Sequence, residues 1–383
     1  MYKGYKIRIY PTKEQEKLLW KHIHACRFIW NYMLALQEEK FKNGEKRLSY
    51  FDMNKLLSPL KMKSEYCWLK EVSNGSLIRI CSDLNQAYLN YYNNKSKCPI
   101  FKTRKKGKLS YPVCYSSKTA FYFTNNYTVQ ISKLGKVKIK QNIKSLGKIC
   151  DPRISLVNNK WILSFGIKCE SQALPKLTDK SMGIDLGIKE LAVVSYGDEK
   201  IVFHNINKSK KVRTLERKLK HVQRVINRKY RTNGNYEKTK GILKYETIAK
   251  EINYKLSNIR KNYIHQITHT LTSLLPEKVV MEDLNVSDMM KNKHLAEAIG
   301  KQGFYEFIRQ MQYKCEWNGI EFIQADRFYP SSKKCSQCGK LKYNLKLSDR
   351  VYKCDQCGLE IDRDYNAAIN LMRYVPQTER CAA

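Results

Sequence analysis

The sequence predicts an α+β fold of several domains, and three features support this prediction. With 383 residues, 42% of them hydrophobic, the chain can form two or three domains of roughly 100–200 residues, each with a core. Apolar residues recur at helical spacing within 12–95 and within 215–263, whereas they alternate with polar residues between 127 and 167. Near the end of the chain, two Cys-x-x-Cys pairs predict a small module stabilised by a metal ion.

The chain opens with a short strand that leads into a helix. The stretch "YKIRIY" alternates between apolar and polar residues, and Pro11 marks its end. Thr12 and Gln15 have the spacing of a capping box, which predicts a helix beginning after Thr12. A second helix is predicted over about 76–92, where apolar and aromatic residues share one face.

The segment that follows these helices is rich in strands. "YTVQISKLGKVKIK" alternates around a Leu-Gly turn, and the alternation continues to Ile167. Because the opening strand has the same pattern, we expect it to join these strands in a small N-terminal β-barrel. The barrel would comprise 1–11 and 96–175, with 12–95 inserted as a helical domain.

A basic loop, "KTRKKGK", precedes these strands, and an aromatic-rich stretch follows the loop. Charged loops are usually solvated surfaces without a partner. Interleaved Lys, Tyr and Phe are, however, also typical of surfaces that hold a nucleic-acid backbone and stack its bases. Both interpretations stay open for this segment. The candidate nucleic-acid-binding residues are Lys102, Arg104, Lys105, Lys106 and Lys108.

Charge is the most unusual bulk property of the chain. It carries 72 Lys and Arg against 35 Asp and Glu, a formal net charge of +37, and repels itself unless a polyanion neutralises it. Nucleic acid is the natural partner, because phosphate contacts by Lys and Arg release counterions. A Lys-rich genome is the alternative explanation, although codon bias would not also deplete Asp and Glu. With 54 Lys against 18 Arg, the composition suits backbone contacts better than bidentate reading of bases.

Other bulk features argue against a membrane or secreted protein. No stretch reaches the ~18 apolar residues of a membrane span, and the N-terminus lacks the apolar run of a signal peptide. Thirteen Cys, an odd number, in a chain without a secretory signal indicate reduced thiols. We therefore expect a cytoplasmic protein with neither a membrane nor a small-molecule substrate as its partner.

After Ser181 the sequence changes character, and "LPKLTDKS" just before it is typical of a linker. "MGIDLGIKELAVVSYGDEKIVFHN" predicts a strand and a hairpin. Two long amphipathic helices follow, separated by a break at 231–235, as in an antiparallel helix pair. "EKVVMEDLN" and "IEFIQAD" predict two further strands, with helical residues between them.

The two Cys pairs have the spacing of a zinc site. Fifteen residues separate them, and a glycine follows each pair. Four thiolates at this spacing satisfy a tetrahedral Zn²⁺ with no open position, so the metal would be structural. Disulfides are the alternative, but they conflict with a reducing compartment. We therefore predict that one Zn²⁺ is bound by Cys335, Cys338, Cys354 and Cys357.

Three carboxylates lie where apolar segments end. Asp185 follows "MGI", Glu282 follows "VVM", and Asp364 opens the helical stretch "DYNAAINLM". Each has a structural alternative, since Asp364 could cap its helix, Asp185 could serve a turn and Glu282 could pair with a lysine. As a set they would suit one or two hard divalent cations, which take oxygen ligands and activate water at a phosphodiester. These residues alone leave both interpretations open.

Longer motifs are more specific. "YKIRIYPTKEQEKLL" and "CRFIWNYML" resemble the opening of the TnpB (OrfB) proteins encoded by insertion sequences, which are relatives of the nuclease core of type V CRISPR effectors. "GIDLGIKELAVVS" and "VVMEDLNV" resemble the first and second nuclease motifs of that family. "DRFYPSSKKCSQCG", "LSDRVYKCDQCG" and "DRDYNAAINL" resemble its zinc ribbon and third motif. The resemblance covers essentially the whole chain.

The resemblance implies a RuvC-like, RNase H-type nuclease domain formed by 178–329 and 361–383, with a zinc ribbon at 330–360 inserted before the last helix. It implies that Asp185, Glu282 and Asp364 are catalytic and bind Mg²⁺ or Mn²⁺. Asp362 also matches the pattern, but the family's metal ligand is the Asp two residues before Asn366. In the N-terminal half, the barrel would be a wedge-like domain that binds RNA and a flanking DNA motif, and 12–95 would be a recognition domain.

The activity implied by the resemblance is that of an RNA-guided DNA endonuclease in a prokaryotic cytoplasm, associated with the nucleoid. A guide RNA from the end of the element would pair with double-stranded target DNA, and the protein would read a short flanking motif. One alternative is a guided regulator that binds DNA without cutting it; such relatives have lost catalytic carboxylates. Another is a transposase or accessory DNA-binding protein, for which the sequence shows no strand-transfer motif.

Overall fold

The computed structural model describes residues 2–104, 107–115, 120–124, 127–141, 143, 147–169, 173–234, 238–345 and 349–376. The chain forms two compact units, Met1–Ser171 and Gln172–Ala383. Both units contain helices and strands, so the expected mixture of α and β structure is confirmed. Among the described helices, none combines the length and apolar character needed to span a membrane.

The first unit combines an antiparallel sheet with helices. Its strands are β1 (Tyr2–Tyr10), β2 (Ser110–Pro112), β3 (Phe121–Phe123), β4 (Thr128–Ile131), β5 (Gly135–Ile139), β6 (Gly147–Val157) and β7 (Lys160–Cys169). They are ordered β2-β6-β7-β1-β5-β4-β3. Its helices are α1 (Lys13–Lys42), α2 (Tyr50–Met62) and α3 (Asn74–Tyr92), with a 3-10 helix over Ser64–Glu71.

The first helix begins where the capping box predicts. The Thr12 side chain accepts a hydrogen bond from the Gln15 amide at 3.2 Å, and the Gln15 side chain accepts one from the Thr12 amide at 3.0 Å. The Gln15 Nε2 also donates to the carbonyls of Leu134 and Lys136, at 3.1 and 2.9 Å. One side chain therefore both starts α1 and links it to the hairpin of β4 and β5.

Helices and strands of the first unit share one hydrophobic core. Ile9 of β1, Ile29 of α1, Leu77 of α3 and Leu163 of β7 all belong to the same buried cluster. The division of this unit into a barrel and a separate helical domain, like the closure of its sheet, stays a prediction. Helix α2 was not predicted, because Pro59 lies inside it and weakens the helical signal.

The second unit is built on a mixed sheet. Its strands are β8 (Met182–Leu186), β9 (Glu190–Tyr196), β10 (Glu199–His204), β11 (Lys278–Glu282) and β12 (Glu321–Ala325), in the order β10-β9-β8-β11-β12. The strands β8, β11 and β12 run parallel, and β9 is antiparallel to both of its neighbours. A separate hairpin pairs β13 (Val351–Lys353) with β14 (Glu360–Asp362).

The helices of the second unit are α4 (Lys210–Thr232), α5 (Lys240–Ser273), α6 (Val286–Met289), α7 (Ala296–Gln302), α8 (Phe304–Asn318) and α9 (Arg363–Met372). The predicted antiparallel pair is confirmed as α4 and α5, whose facing residues form a small core of their own. A second core joins the sheet to α5 and α8.

The last helix, α9, packs directly on the central strand β8. A Cβ built at Gly183 would lie 2.1 Å from the Ala368 carbonyl oxygen and 2.3 Å from the Met372 amide nitrogen. Both are backbone atoms of α9, which cannot turn aside as a flexible side chain could. Only glycine at position 183 therefore allows α9 to pack this closely on β8.

Gly183→Ala is expected to destabilise the second unit by about 1–3 kcal/mol or more, because the added methyl group would displace the backbone of α9. Hydrogen–deuterium exchange followed by mass spectrometry should show faster exchange in α9. Gly4→Ala is the matched control, because it is also a strand glycine and its Cβ would have no atom within 4 Å. Unchanged exchange of α9 in Gly183→Ala would contradict the close packing of α9 on β8.

Candidate active site and metal centre

Two of the predicted carboxylates lie side by side on the central strands of the second unit. In the parallel pair of β8 and β11, Gly183 faces Val280 and Ile184 faces Met281. The same register continued by one residue brings Asp185 opposite Glu282. Neighbouring strands are about 4.8 Å apart, and side chains at one register position share a face. The two carboxylates therefore project from the same face of the sheet, near the carboxyl ends of β8 and β11.

The third carboxylate reaches the same place from α9. Asp364 lies in the first turn of this helix, whose later residues rest on Gly183, two residues before Asp185. Burial raises the pKa of Asp185 well above its usual range, and the nearby charges of Glu282 and then Asp364 raise it further. The structure thus brings the three predicted residues into one electrostatic group in which negative charge is crowded.

Asp362 and Asp364 differ in the hydrogen bonds that their carboxylates form. Asp362 is the N-cap of α9; its Oδ1 accepts from the Tyr365 amide at 3.0 Å and lies 3.7 Å from the Lys200 Nζ. Within the described part of the chain, no hydrogen bond or ion pair involves the Asp364 carboxylate. The capping role, which was the structural alternative for Asp364, belongs to Asp362.

Glu282 is held by a neighbour that sequence reasoning did not identify. The Ser331 hydroxyl donates to Glu282 Oε1, and Ser331 is itself buried. Next to Glu282, the Asp283 carboxylate pairs with Arg327 at 2.8 Å. The segment after β12 therefore contacts Glu282 and Asp283, although nothing in its sequence marks Ser331 as a partner of Glu282.

The four predicted cysteines converge. Cys335 Sγ lies 3.6 Å from Cys357 Sγ, and Cys338 Sγ lies 3.5 Å from Cys354 Sγ. All four sulfur atoms lie within 4.8 Å of one another; among the described residues, the carboxylates of Asp185, Glu282 and Asp364 do not form a group this close. Sulfur atoms around a tetrahedral Zn²⁺ would be about 3.8 Å apart, given Zn–S bonds of about 2.3 Å. The cluster thus has the dimensions of a four-thiolate metal site.

The two cysteine pairs are built alike. In each, the glycine after the second cysteine has a positive φ, +79° at Gly339 and +71° at Gly358. Its amide donates to the carbonyl of the first cysteine, at 3.0 Å for Cys335 and 3.1 Å for Cys354. Amide groups of Cys357 and Gln356 also lower the pKa of the Cys354 thiol to about 6. The predicted role of both glycines in the tight turns is confirmed.

Two buried asparagines join α9 to the first cysteine pair. Asn366 accepts from the Ser336 amide at 3.0 Å and donates to the Lys334 carbonyl at 2.8 Å. Asn370, one turn later, donates to the carbonyls of Ser331 and Lys334, both at 2.7 Å. Sequence reasoning missed these residues. Two Asn four residues apart on an apolar helix face were the available signal, because buried amides need partners.

The predicted basic loop is only partly exposed. Arg104 and Lys108 are exposed, whereas Lys102 is partly buried, with its Nζ 3.3 Å from the centre of the Trp30 ring. Burial lowers the pKa of Lys102 to about 8. Lys105 and Lys106 lie outside the described residues. Nucleic-acid binding by this loop stays a prediction.

Family models match most of the chain. A helix-turn-helix domain model, HTH_OrfB_IS605, matches residues 1–46. The OrfB_IS605 model, described as a probable transposase, matches 164–293, and a Cas12f1-like TNB domain model matches 304–371. Over 2–46, all of which the structure describes, strand β1 is followed by one helix, α1, so the name of the first model does not describe the local fold.

Relatives extend this similarity over nearly the whole chain. A protein of Streptomyces pristinaespiralis is 30% identical over 97% of this chain and 88% of its own length. InsQ of Escherichia coli K12 is 28% identical over 96% of this chain and 91% of its own length. Both names give RNA-guided DNA endonuclease as a provisional assignment.

The fold is also similar to that of a solved structure. The mini-RNA-guided endonuclease CRISPR-Cas_phi3 matches with a TM-score of 0.53 at 10% identity, over 97% of this chain and 92% of that chain. Identity of 30% over 97% of this chain and the OrfB models that match both units lead to one conclusion. This chain belongs to the TnpB (OrfB) family of proteins encoded by insertion sequences.

Proposed function

We propose that this protein is an RNA-guided DNA endonuclease that hydrolyses the phosphodiester with one or two divalent cations held by Asp185, Glu282 and Asp364. The observation that carries the proposal is that these carboxylates form one electrostatic group, with Asp185 and Glu282 on paired strands and Asp364 in the first turn of α9. The names of the full-length relatives support the same activity. A guided regulator without cleavage activity is less well supported, because all three carboxylates are present.

The donor set fits Mg²⁺ or Mn²⁺, which prefer carboxylate oxygens. Burial, followed by the nearby charges of Glu282 and Asp364, raises the pKa of Asp185, and a bound cation would relieve the repulsion between these charges. When bound, such ions activate water and stabilise the leaving oxygen. The chain's own residues orient the ligands: Ser331 holds Glu282, and Asp362 caps the helix that presents Asp364.

The four-cysteine cluster fits Zn²⁺ and would have a structural role. Its ligand set is complete with four thiolates, so no position would be open for a substrate or water. Asn366 ties Ser336 and Lys334, next to Cys335, to α9. A metal at the cysteines would therefore stabilise the position of Asp364 without taking part in the chemistry.

Guide RNA and double-stranded target DNA are the proposed partners. A net charge of +37, carried mainly by Lys, supports binding through phosphates, while base pairing with the guide would supply sequence specificity. Within this proposal, 1–11 and 96–175 form the wedge-like barrel and 12–95 the recognition domain. A RuvC-like, RNase H-type nuclease domain comprises 178–329 and 361–383, and its support is the mixed sheet with carboxylates on two central strands. The zinc ribbon is 330–360.

Replacing the guide tests the proposed function. The protein should purify with RNA from its own element, and the cut in Mg²⁺ should move to a new target when the guide segment is rewritten. The flanking motif is kept constant, and two synthetic guides are crossed with two targets after removal of the co-purified RNA. Specific cutting by RNA-free protein, or a cut site that ignores the guide, would contradict guided cleavage.

Asp185→Ala, Glu282→Ala and Asp364→Ala are each expected to lower cleavage by roughly 10⁴-fold or more, because ligands of one shared metal site act as a unit. Binding of guide and target, measured by gel shift, should be largely unchanged, and double variants should be hardly worse than single ones. Asp362→Ala, which removes a cap, is the matched control and should have a much smaller effect. An essential Asp362 with a dispensable Asp364 would move the third ligand by two residues.

Metal analysis is expected to find one zinc per chain, and Cys354→Ser should lose it together with much of the cleavage activity. The activity would fall because α9, and with it Asp364, loses its support. Cys67→Ser is the control, since Cys67 is an exposed thiol outside the cluster. Full zinc content in Cys354→Ser would refute the ligand assignment.

A further inference from the structure

The two carboxylate strands lose their mutual pairing just before the carboxylates. Between β8 and β11 the last paired residues are Ile184 and Met281, one position before Asp185 and Glu282. Each strand stays paired with its outer neighbour for longer, β8 with β9 as far as Leu186 and β11 with β12 as far as Glu282. The spacing of the two carboxylates therefore depends on the contacts that hold the chain beyond the last pair.

Gln302 links the chain that follows one carboxylate to the chain that follows the other. It is the last residue of α7, in the segment that leads from Glu282 to α8, and it is buried. Its Nε2 donates to the carbonyl oxygens of Gly187 and Ile188, at 3.1 and 2.9 Å. These carbonyls belong to the turn after β8, two and three residues beyond Asp185. Both amide hydrogens of Gln302 are therefore used to join the two segments.

Ion pairs fix the helix that carries Gln302. Lys301 Nζ lies 3.0 Å from Glu216 Oε1 on α4, and Arg260 of α5 binds the same oxygen at 2.8 Å. Arg260 also donates to Asn207 Oδ1 at 2.7 Å, and Asn207 Nδ2 donates to the Lys301 carbonyl at 3.3 Å. A shift of α7 would break this connected set of contacts, so Gln302 is attached to a fixed support.

Other side chains hold the same turn from a different direction. Asn205 Nδ2 donates to the Ile188 carbonyl at 2.8 Å, and Lys208 Nζ donates to the Lys189 carbonyl at 2.6 Å. Both donors lie in the segment between β10 and α4. They therefore join the turn to the side of the sheet that carries β9 and β10, whereas Gln302 joins it to the segment after β11, across the position where the strands are unpaired.

Charge acts at this same position. When both are ionised and no cation is bound, Asp185 and Glu282 repel each other, and the repulsion favours a wider gap between the ends of their strands. The link made by Gln302 opposes that separation. The fold of α7 does not depend on the link alone, because Ile299, one turn before Gln302, is buried in the core of the second unit.

We propose that Gln302 is a positioning residue of the cation site, which links the turn after Asp185 to the segment after Glu282 and so sets the spacing at which these carboxylates share a cation. The proposal rests on the proposed endonuclease function and adds to it a residue that acts through the backbone of the turn. Loss of the link should weaken cation binding while the fold is retained.

Gln302→Met removes both donors at nearly the same side-chain length, so it tests the link directly. The Mg²⁺ concentration for half-maximal cleavage by the RNA-loaded full chain should rise roughly 10- to 100-fold, the usual cost of losing a group that orients a metal ligand. Mn²⁺ affinity without DNA, measured by electron paramagnetic resonance, should fall by a similar factor. The signal of Asp185→Ala is subtracted, because its RNA binds the same background of Mn²⁺. Gln302→Glu, which turns carboxylate oxygens toward the two carbonyls, should have at least the same effect.

Gln37→Met is the matched control. Gln37 is also buried and its Nε2 donates to the Leu48 carbonyl at 2.8 Å, but it lies in the first unit. Its loss should lower the melting temperature without changing the Mg²⁺ requirement or the Mn²⁺ affinity. If Gln302→Met does not fold, Glu216→Gln is the second variant. It weakens the hold on Lys301 and leaves Gln302 in place, so it should raise the Mg²⁺ requirement by a smaller factor.

A wild-type Mg²⁺ requirement and Mn²⁺ affinity in Gln302→Met, or in Glu216→Gln where Gln302→Met does not fold, would overturn the positioning role and leave the endonuclease function standing. An equal rise of the Mg²⁺ requirement in Gln37→Met would also overturn it, because the effect would then reflect lost stability. If wild-type protein does not cut the guided target in Mg²⁺, the endonuclease function itself fails, and the role assigned to Gln302 fails with it.

Discussion

The close approach of α9 to β8 at Gly183 is the contact on which the candidate active site depends. A Cβ atom at this position would lie 2.1–2.3 Å from backbone atoms of α9, so only glycine allows the two elements to pack this closely. On another side of the helix, Asn366 and Asn370 bind the backbone of 331–336 and satisfy buried amide groups that would otherwise be costly. Held by these contacts, α9 places Asp364 near Asp185 and Glu282.

These contacts give a physical reason why a cysteine cluster directly precedes a carboxylate in the chain. Strand β14 ends at Asp362, which caps α9, so the chain passes from the cysteine module into the helix without a linker. Lys334 and Ser336, which flank Cys335, are the partners of Asn366. Order in the cysteine module is thus transmitted to Asp364 through short covalent and hydrogen-bonded steps. Under the proposed function, a metal held by four thiolates would support catalysis only by fixing the position of Asp364.

Local signals predicted much of the fold, whereas long-range contacts were beyond them. The capping box of Thr12, the strands around Asp185 and Glu282 and the glycine turns of the cysteine pairs depend on neighbouring residues, and all appear in the structure. The sequence could not show that Gly183 touches α9 about 185 residues away, because the need for glycine arises only from packing. Lys102 was expected in a charged loop, but its contact with Trp30, 72 residues earlier, partly buries it.

For the proposed cleavage, α9 must complete one cation site with the two central strands. Anomalous diffraction from Mn²⁺ in crystals of the RNA-loaded protein would locate that site. One or two Mn²⁺ peaks are expected about 2.0–2.2 Å from carboxylate oxygens of Asp185, Glu282 and Asp364, the distance for a small octahedral cation. Peaks bound by Asp362 in place of Asp364, or Mn²⁺ bound elsewhere with these three carboxylates unligated, would contradict it.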